Sequence, residues 1–149
     1  MTIDIARWSD PEVAKRILTE FHVWAVIGAS PDPTRPSYGV SRTLICHGYE
    51  VIPIYPVAAT IHGLATVPDL ATAAAARPAG SPIEVVDIFR ASHRAGPHVD
   101  EAIAIGAKAV WMQLEVIDEA AAERADRAGL LIVMDRCLAI DLGTFALDG

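Results

Sequence analysis

The chain has 149 residues, 52% of them hydrophobic, and its formal net charge at pH 7 is −7, from 12 basic and 19 acidic residues. This composition argues against a disordered chain, and the acidic balance argues against binding to nucleic acid, which usually needs a basic excess. No apolar run approaches the ~20 residues of a membrane span, and the N-terminus lacks the basic-then-apolar order of a signal peptide. We therefore expect one domain over residues 1–149 in a soluble, cytoplasmic protein that does not bind membranes.

The first predicted elements are a helix and a strand. Ser9 is expected to cap the helix, because Pro11 suits its first turn and Glu12 follows the cap at the spacing of a capping box. The apolar segment over about 23–28 then predicts a buried strand that ends at a glycine.

A polar loop and a second helix follow this strand. Three prolines in residues 30–36 exclude regular structure there. A helix is expected over about 37–47, and Gly48 suits the left-handed position that ends it. The second strand is expected over about 50–54.

The rest of the chain alternates apolar segments with helices. We expect a turn with a short strand at about 61–67, and strands at about 83–88, 109–112 and 130–134. Helices are expected at about 70–76, 97–105 and 118–129, with a short helix after residue 137. Continuous apolar strands separated by helices predict an α/β fold with a doubly wound, mostly parallel sheet and helices on both faces.

Ligands of such sheets bind outside the carboxyl ends of the strands, where the winding order reverses. The residues at these ends are therefore the site candidates. They are Gly28, Ala29, Ser30 and Arg35 after the first strand, Tyr55 and Pro56 after the second, Phe89 and Arg90 after 83–88, Gln113 after 109–112, and Arg136 and Cys137 after the last. The candidates include three arginines and no pair of acids, which argues against catalysis by a carboxylate dyad.

The turn after the first strand is suited to a phosphate group. Gly28 allows a tight turn and a close approach to its amides, Ser30 can donate its hydroxyl, and the helix beginning at Ser37 adds partial positive charge. An ordinary strand-to-helix turn would carry the same residues. Only one glycine of the dinucleotide fingerprint is present, and the second strand ends in Tyr55 and Pro56 without an acid for the ribose. Both features disfavour NAD.

Two arginines and one amide are candidates for the rest of the site. Arg35 could close over a diphosphate, or it could be a solvated loop residue. Arg90 can point into the crevice, and Phe89 beside it either offers a face to adenine or covers the core. Gln113 places an amide at a strand end, where it either contacts a ligand or closes a local loop.

Cys137 is the one nucleophile at a strand end. Arg136 and the start of the final helix would favour its thiolate, but no histidine is placed to act as its base, so a packing role is the alternative. The second cysteine, Cys46, is expected to pack within its helix. The two cysteines and five histidines show no disulfide framework and no metal-ligand spacing, so we expect no metal site.

Five segments of the chain match the motifs of a known family. They are Trp24–Ser30 with the loop that follows it, Gly48–Pro53, Val86–Arg90, Ala109–Gln113 and Val133–Cys137. Together they resemble the small stand-alone CoA-binding proteins, which are similar to the N-terminal domain of the succinyl-CoA synthetase alpha subunit. The match covers about 11–141, which we take as the core of the domain.

This resemblance implies a Rossmann-like CoA-binding domain. The Gly28–Ser30 turn would hold the diphosphate, while the end of the second strand and Phe89–Arg90 would line the adenosine. The sequence departs from the family at two places. Ile54–Val57 stands where the family usually has Val-Asn-Pro, which is often followed by a lysine that could bind the 3′-phosphate. Glu115 stands where glycine is common in the family.

The predicted function is a module that binds CoA or acyl-CoA and has no catalytic residues of its own. The catalytic residues of the synthetase belong to other domains, so its activity is not implied. Two alternatives stay open: a thiol-dependent enzyme or redox protein that uses Cys137 on CoA, and a sensor domain that binds NAD or FAD. A homodimer or an unidentified protein partner is also compatible with the sequence.

Overall fold

A computed structural model describes residues 4–147. The helices are α1 (Ile5–Trp8), α2 (Pro11–Glu20), α3 (Pro36–Cys46), α4 (Leu70–Ala75), α5 (Ser92–Ala104), α6 (Glu119–Arg127) and α7 (Leu138–Phe145). The strands are β1 (Val23–Ile27), β2 (Glu50–Ile54), β3 (Thr60–Ile61), β4 (Leu64–Ala65), β5 (Val85–Ile88), β6 (Ala109–Met112) and β7 (Leu131–Val133). No helix within residues 4–147 has the length and apolar character needed to cross a membrane.

Five strands form a parallel sheet in the order β2-β1-β5-β6-β7. The order reverses between β1 and β5, because β1 pairs with β2 on one side and with β5 on the other. Every residue of β1, β5 and β6 is buried, as expected for strands covered on both faces. The predicted doubly wound α/β fold is confirmed.

Helices cover both faces of the sheet, as predicted. Helices α2, α3 and α7 contribute to one apolar cluster, which contains the fully buried Trp24 and Trp111. Helices α4, α5 and α6 contribute mainly small residues to the other cluster, against Ile88 and Met112 of the sheet. The carboxyl ends of the strands stay open between these helices.

The segment 61–67 adds almost nothing to the main sheet. Strands β3 and β4 form a separate antiparallel hairpin of two residues each. Only Val67 reaches the sheet, where its amide donates to Pro53 O and its carbonyl accepts from the Tyr55 amide, both at 2.9 Å. This contact is an isolated bridge, because Asp69 already caps α4, which begins at Leu70.

Two predicted helix starts are wrong. The cap of α2 is Asp10 and not Ser9, since Asp10 Oδ1 accepts from the Glu12 amide at 2.9 Å. Helix α5 begins at Ser92, before the predicted start at Pro97. Pro97 is exposed on α5, where water can satisfy the carbonyl that loses its amide partner.

Candidate functional site

A cleft of about 820 Å³ opens at the carboxyl ends of the strands, beside the boundary between β1 and β5. This is the position at which open α/β sheets bind ligands. The predicted site residues that line it are Gly28, Ser30, Arg35, Ser37, Tyr55, Phe89, Arg90, Gln113 and Cys137. Ala29 is buried beneath the turn, and Pro56 lines a second, smaller cavity. Contact of any of these residues with a ligand stays a prediction.

The amides of the turn after β1 already have acceptors within the chain. The amides of Gly28 and Ala29 donate to Ile54 O at 3.1 and 3.2 Å, and the Ser30 amide donates to Ser37 Oγ at 3.1 Å. A phosphate that bound these amides would have to replace those acceptors. Binding of a phosphate at this turn stays a prediction.

The ends of β1 and β5 meet at Gly28. Its φ is +79°, and an added Cβ would lie 2.3 Å from the carbonyl oxygen of Phe89. The turn thus needs glycine for the contact between two strand ends, whatever binds beside it. The Phe89 side chain packs against the α2–α3–α7 cluster and also lines the cleft, so it serves both as core cover and as cleft wall.

Positive charge reaches the cleft from Arg90, Arg35 and the start of α3. Arg90 Nε is buried and has no hydrogen-bond partner among residues 4–147. A buried donor without an acceptor indicates that a ligand or an ordered water supplies one. The Arg35 side chain is 71% exposed and lies 4.0 Å from Asp32. The first turn of α3 borders the same space through Pro36 and Ser37, where the helix dipole favours an anion.

A small cavity of about 200 Å³ adjoins the cleft where β2 ends. Gly28 and Arg90 line both spaces, and the other polar residues of the small cavity are Asp69, His98 and Glu101. Strand β2 itself ends without an acid, as predicted, but Asp69 and Glu101 bring two carboxylates from other segments into this cavity. In the sequence Asp69 shows only the signature of a helix start, and Glu101 shows no signal at all.

Gln113 lines the cleft although it is almost completely buried. Its Nε2 donates to Asp87 Oδ1 at 2.6 Å, while Asp87 Oδ2 has no partner in the described part of the chain. Burial raises the pKa of Asp87 to about 8, against the opposing hydrogen bond from Gln113. Burial therefore favours the neutral form of Asp87 at pH 7. The sequence shows it only as a polar interruption of an apolar strand.

The loop after β6 holds Glu115 in a left-handed conformation, with φ +68°. Its amide donates to Asp135 Oδ1 at 2.7 Å, and its carbonyl accepts from Ser92 Oγ at 3.0 Å. The exposed Glu115 lines the cleft. A positive φ is a conformation that glycine adopts without strain and that glutamate does not.

We expect Glu115→Gly to raise the free energy of unfolding by about 0.5–1 kcal/mol, because relief of the left-handed strain exceeds the entropy that glycine adds to the unfolded chain. Urea unfolding measures the change. Glu115→Gln is the matched control, since it removes the charge and keeps the strain. Equal stabilities of the two variants would contradict the strain at this position.

Cys137 is half-buried at the start of α7 and lines the cleft. Its neighbour Arg136 is engaged elsewhere: it donates to both oxygens of Asp141 at 2.8 Å and to Ser9 O at 3.0 Å. The predicted packing role of Cys46 is wrong, because this residue is exposed at the end of α3. Within residues 4–147, no group of three or more histidine, cysteine or acidic side chains could hold a metal ion.

The parallel sheet, its order reversal and the cleft beside that reversal define a Rossmann-like α/β domain. The chain matches the CoA binding domain family over residues 22–143 and belongs to that family, which confirms the resemblance seen in the sequence. It is 29% identical over 126 residues to the uncharacterised protein YneT of Bacillus subtilis, covering 85% of this chain and 89% of that one.

Two solved structures have the same fold. A hypothetical protein from Pyrococcus horikoshii OT3 is 32% identical with a TM-score of 0.83, covering 98% of this chain and 99% of that one. A Thermus thermophilus protein designated cell-free ID.343 is 26% identical with a TM-score of 0.78, covering 91% of this chain and 98% of that one. Both structures share the fold of this member of the CoA binding domain family.

Proposed function

We propose that the protein binds CoA or an acyl-CoA in the cleft and catalyses no reaction on it by itself. The observation that carries this proposal is the unpartnered Arg90 Nε at the junction of the cleft and the small cavity. The diphosphate of CoA is an anion that a guanidinium binds well, and it lies between the two ends of the molecule. Membership of the CoA binding domain family supports the same ligand.

The shapes of the two spaces suggest how CoA lies across them. The diphosphate would sit between Arg90 and the first turn of α3, where the guanidinium and the helix dipole both favour an anion. The compact nucleoside end suits the small cavity, and the longer pantetheine arm suits the cleft. That arm would then run past Gln113 toward Glu115 and Cys137, which line the far part of the cleft.

Arg90→Ala is expected to weaken CoA binding by about 1–3 kcal/mol, because truncation removes one charged hydrogen-bond donor to the diphosphate. Isothermal titration calorimetry measures the change. The substitution breaks no protein hydrogen bond at Nε, so it should leave the fold intact. Arg42→Ala, at an exposed position of α3, is the control for loss of one positive charge. An unchanged dissociation constant for Arg90→Ala would place the diphosphate elsewhere.

A sensor domain that binds NAD is the second candidate. Asp69 and Glu101 favour it, because a carboxylate near the end of the second strand is the residue that accepts hydrogen bonds from the NAD ribose. Titration of the unmodified protein with NAD and with CoA decides between the two. Tighter binding of NAD would reject the CoA proposal.

The two cysteines allow a direct test of where the pantetheine arm lies. CoA is expected to slow alkylation of Cys137, which lines the cleft, and to leave alkylation of the exposed Cys46 unchanged. Mass spectrometry after timed iodoacetamide treatment reads both sites in one sample. Without CoA, a non-catalytic Cys137 should react no faster than an ordinary thiol of pKa about 8.5. Fast labelling of Cys137 would favour the thiol-dependent alternative.

A further inference from the structure

The small cavity has apolar walls and an acidic rim. Its walls are formed by Ile27, Ile54, Pro56, Pro68 and Leu70. Apolar walls suit a nucleobase, which leaves the attached ribose beside the polar rim. That rim consists of Asp69, Glu101, His98 and the shared Arg90.

Each carboxylate of the rim has a hydrogen-bond partner within the chain. Asp69 Oδ1 accepts from the Thr72 amide at 2.8 Å, and Glu101 Oε1 lies 2.7 Å from His98 Nδ1. The Thr72 side chain also hydrogen-bonds to the Asp69 carboxylate. The hydrogen bonds from Thr72 hold the pKa of Asp69 below its usual range, so this group is negatively charged at neutral pH.

The rim has little positive charge to offset these two acids. Arg90 is its one lysine or arginine among the described residues, and the diphosphate already requires that guanidinium. His98 lies against Glu101. A phosphate monoester carries about −1.5 to −2 charges at pH 7, so a phosphate on the ribose would face two carboxylates without a cation of its own.

Building on the proposed function, we propose that this rim selects a nucleotide with an unphosphorylated ribose. Free ribose hydroxyls can donate to the carboxylates of Asp69 and Glu101, because an ionised carboxylate can accept about four hydrogen bonds, whereas a 3′-phosphate is repelled by both. Dephospho-CoA and its thioesters are therefore the ligand class, and CoA itself binds more weakly.

Isothermal titration of the unmodified protein with dephospho-CoA and with CoA tests this selection. Dephospho-CoA is expected to bind about threefold to tenfold more tightly, the size expected for two partly exposed charge contacts. The difference in affinity between the two ligands should shrink as salt is added, because the carboxylates are solvent-accessible. In the double variant D69N/E101Q, CoA should gain affinity until the two ligands differ by less than about twofold.

The chosen substitutions preserve the local structure. Asparagine caps a helix as well as aspartate does, so D69N keeps the start of α4, and E101Q keeps an acceptor for His98. Glu12→Gln, at an exposed position on the opposite face of the sheet, is the matched control and should leave both affinities unchanged. Thermal melts confirm that all variants fold.

The outcomes separate this inference from the function on which it rests. Equal or tighter binding of CoA by the unmodified protein overturns the selection and leaves the CoA-binding function standing. A preference for dephospho-CoA that survives in D69N/E101Q overturns the role of the two carboxylates. Absence of binding by either ligand rejects both the function and the selection.

Discussion

Asp87→Asn is expected to stabilise the protein at pH 8 and to leave its stability near pH 4 almost unchanged. Asp87 is fully buried in β5, and only its Oδ1 has a partner, Gln113 Nε2 at 2.6 Å. An asparagine amide has the shape of the neutral carboxyl and keeps the acceptor for Gln113. It cannot ionise, so it removes the proton equilibrium that couples Asp87 to unfolding.

The sign of the effect follows from the two pKa values of Asp87. Burial raises the pKa to about 8 in the folded protein, whereas an unfolded aspartate has a pKa of about 3.9. Between these values the unfolded chain loses the proton and the folded chain keeps it, so stability falls as pH rises. The slope is about 1.4 kcal/mol for each pH unit, which amounts to a loss on the order of 4 kcal/mol at pH 7.

Urea unfolding of both proteins from pH 4 to pH 8 measures this difference. Asp32 and Asp69 have lowered pKa values because of hydrogen bonds from Thr34 and Thr72, so their contribution to stability is lost as pH falls. Both proteins contain Asp32 and Asp69, so the contributions of these residues cancel when one curve of stability against pH is subtracted from the other. Asp126→Asn, at an exposed position of α6, controls for loss of one charge. Parallel curves for the unmodified protein and Asp87→Asn would refute the neutral buried acid.

The elements that local chemistry determines were predictable from the sequence. The apolar run over Val23–Ile27 is a buried strand, and Gly48 has a φ of +90° where the helix before it ends, as expected. Pro97 misled the prediction of α5, because a proline at an exposed position costs little when water replaces its lost hydrogen bond. Ser9 and Asp10 are both good caps, and the choice between them depends on backbone geometry that the sequence does not display.

The site was only partly predictable, because its polar groups meet through the topology of the sheet. Arg90 and Gln113 follow strands directly, so their place at the cleft could be inferred from the strand ends. Asp69 and Glu101 come from two different helices and share a cavity only because both helices cover the same face near β2. Such a contact has no local signal in the sequence.

Gly28→Ala is expected to lower the free energy of unfolding by about 2–5 kcal/mol, from left-handed strain and from overpacking together. The added Cβ would lie 2.3 Å from the carbonyl oxygen of Phe89 and 3.2 Å from its carbonyl carbon. Neither atom can turn away as a side chain could. The Phe89 amide also donates to Ile27 O at 2.9 Å, so relieving the overlap would pull apart the ends of β1 and β5.

Gly106→Ala separates the two causes of this destabilisation. Gly106 also has a positive φ, +77°, but an added Cβ there meets no atom within 4 Å. Gly106→Ala should lower the free energy of unfolding only by the conformational strain, about 1–2 kcal/mol. The additional loss in Gly28→Ala then measures the overlap with Phe89. Equal losses in the two variants would contradict the close contact between the strand ends. Because the overlap is internal, a loss of CoA binding in Gly28→Ala would reflect displacement of the strand ends that carry Arg90, not a clash with phosphate.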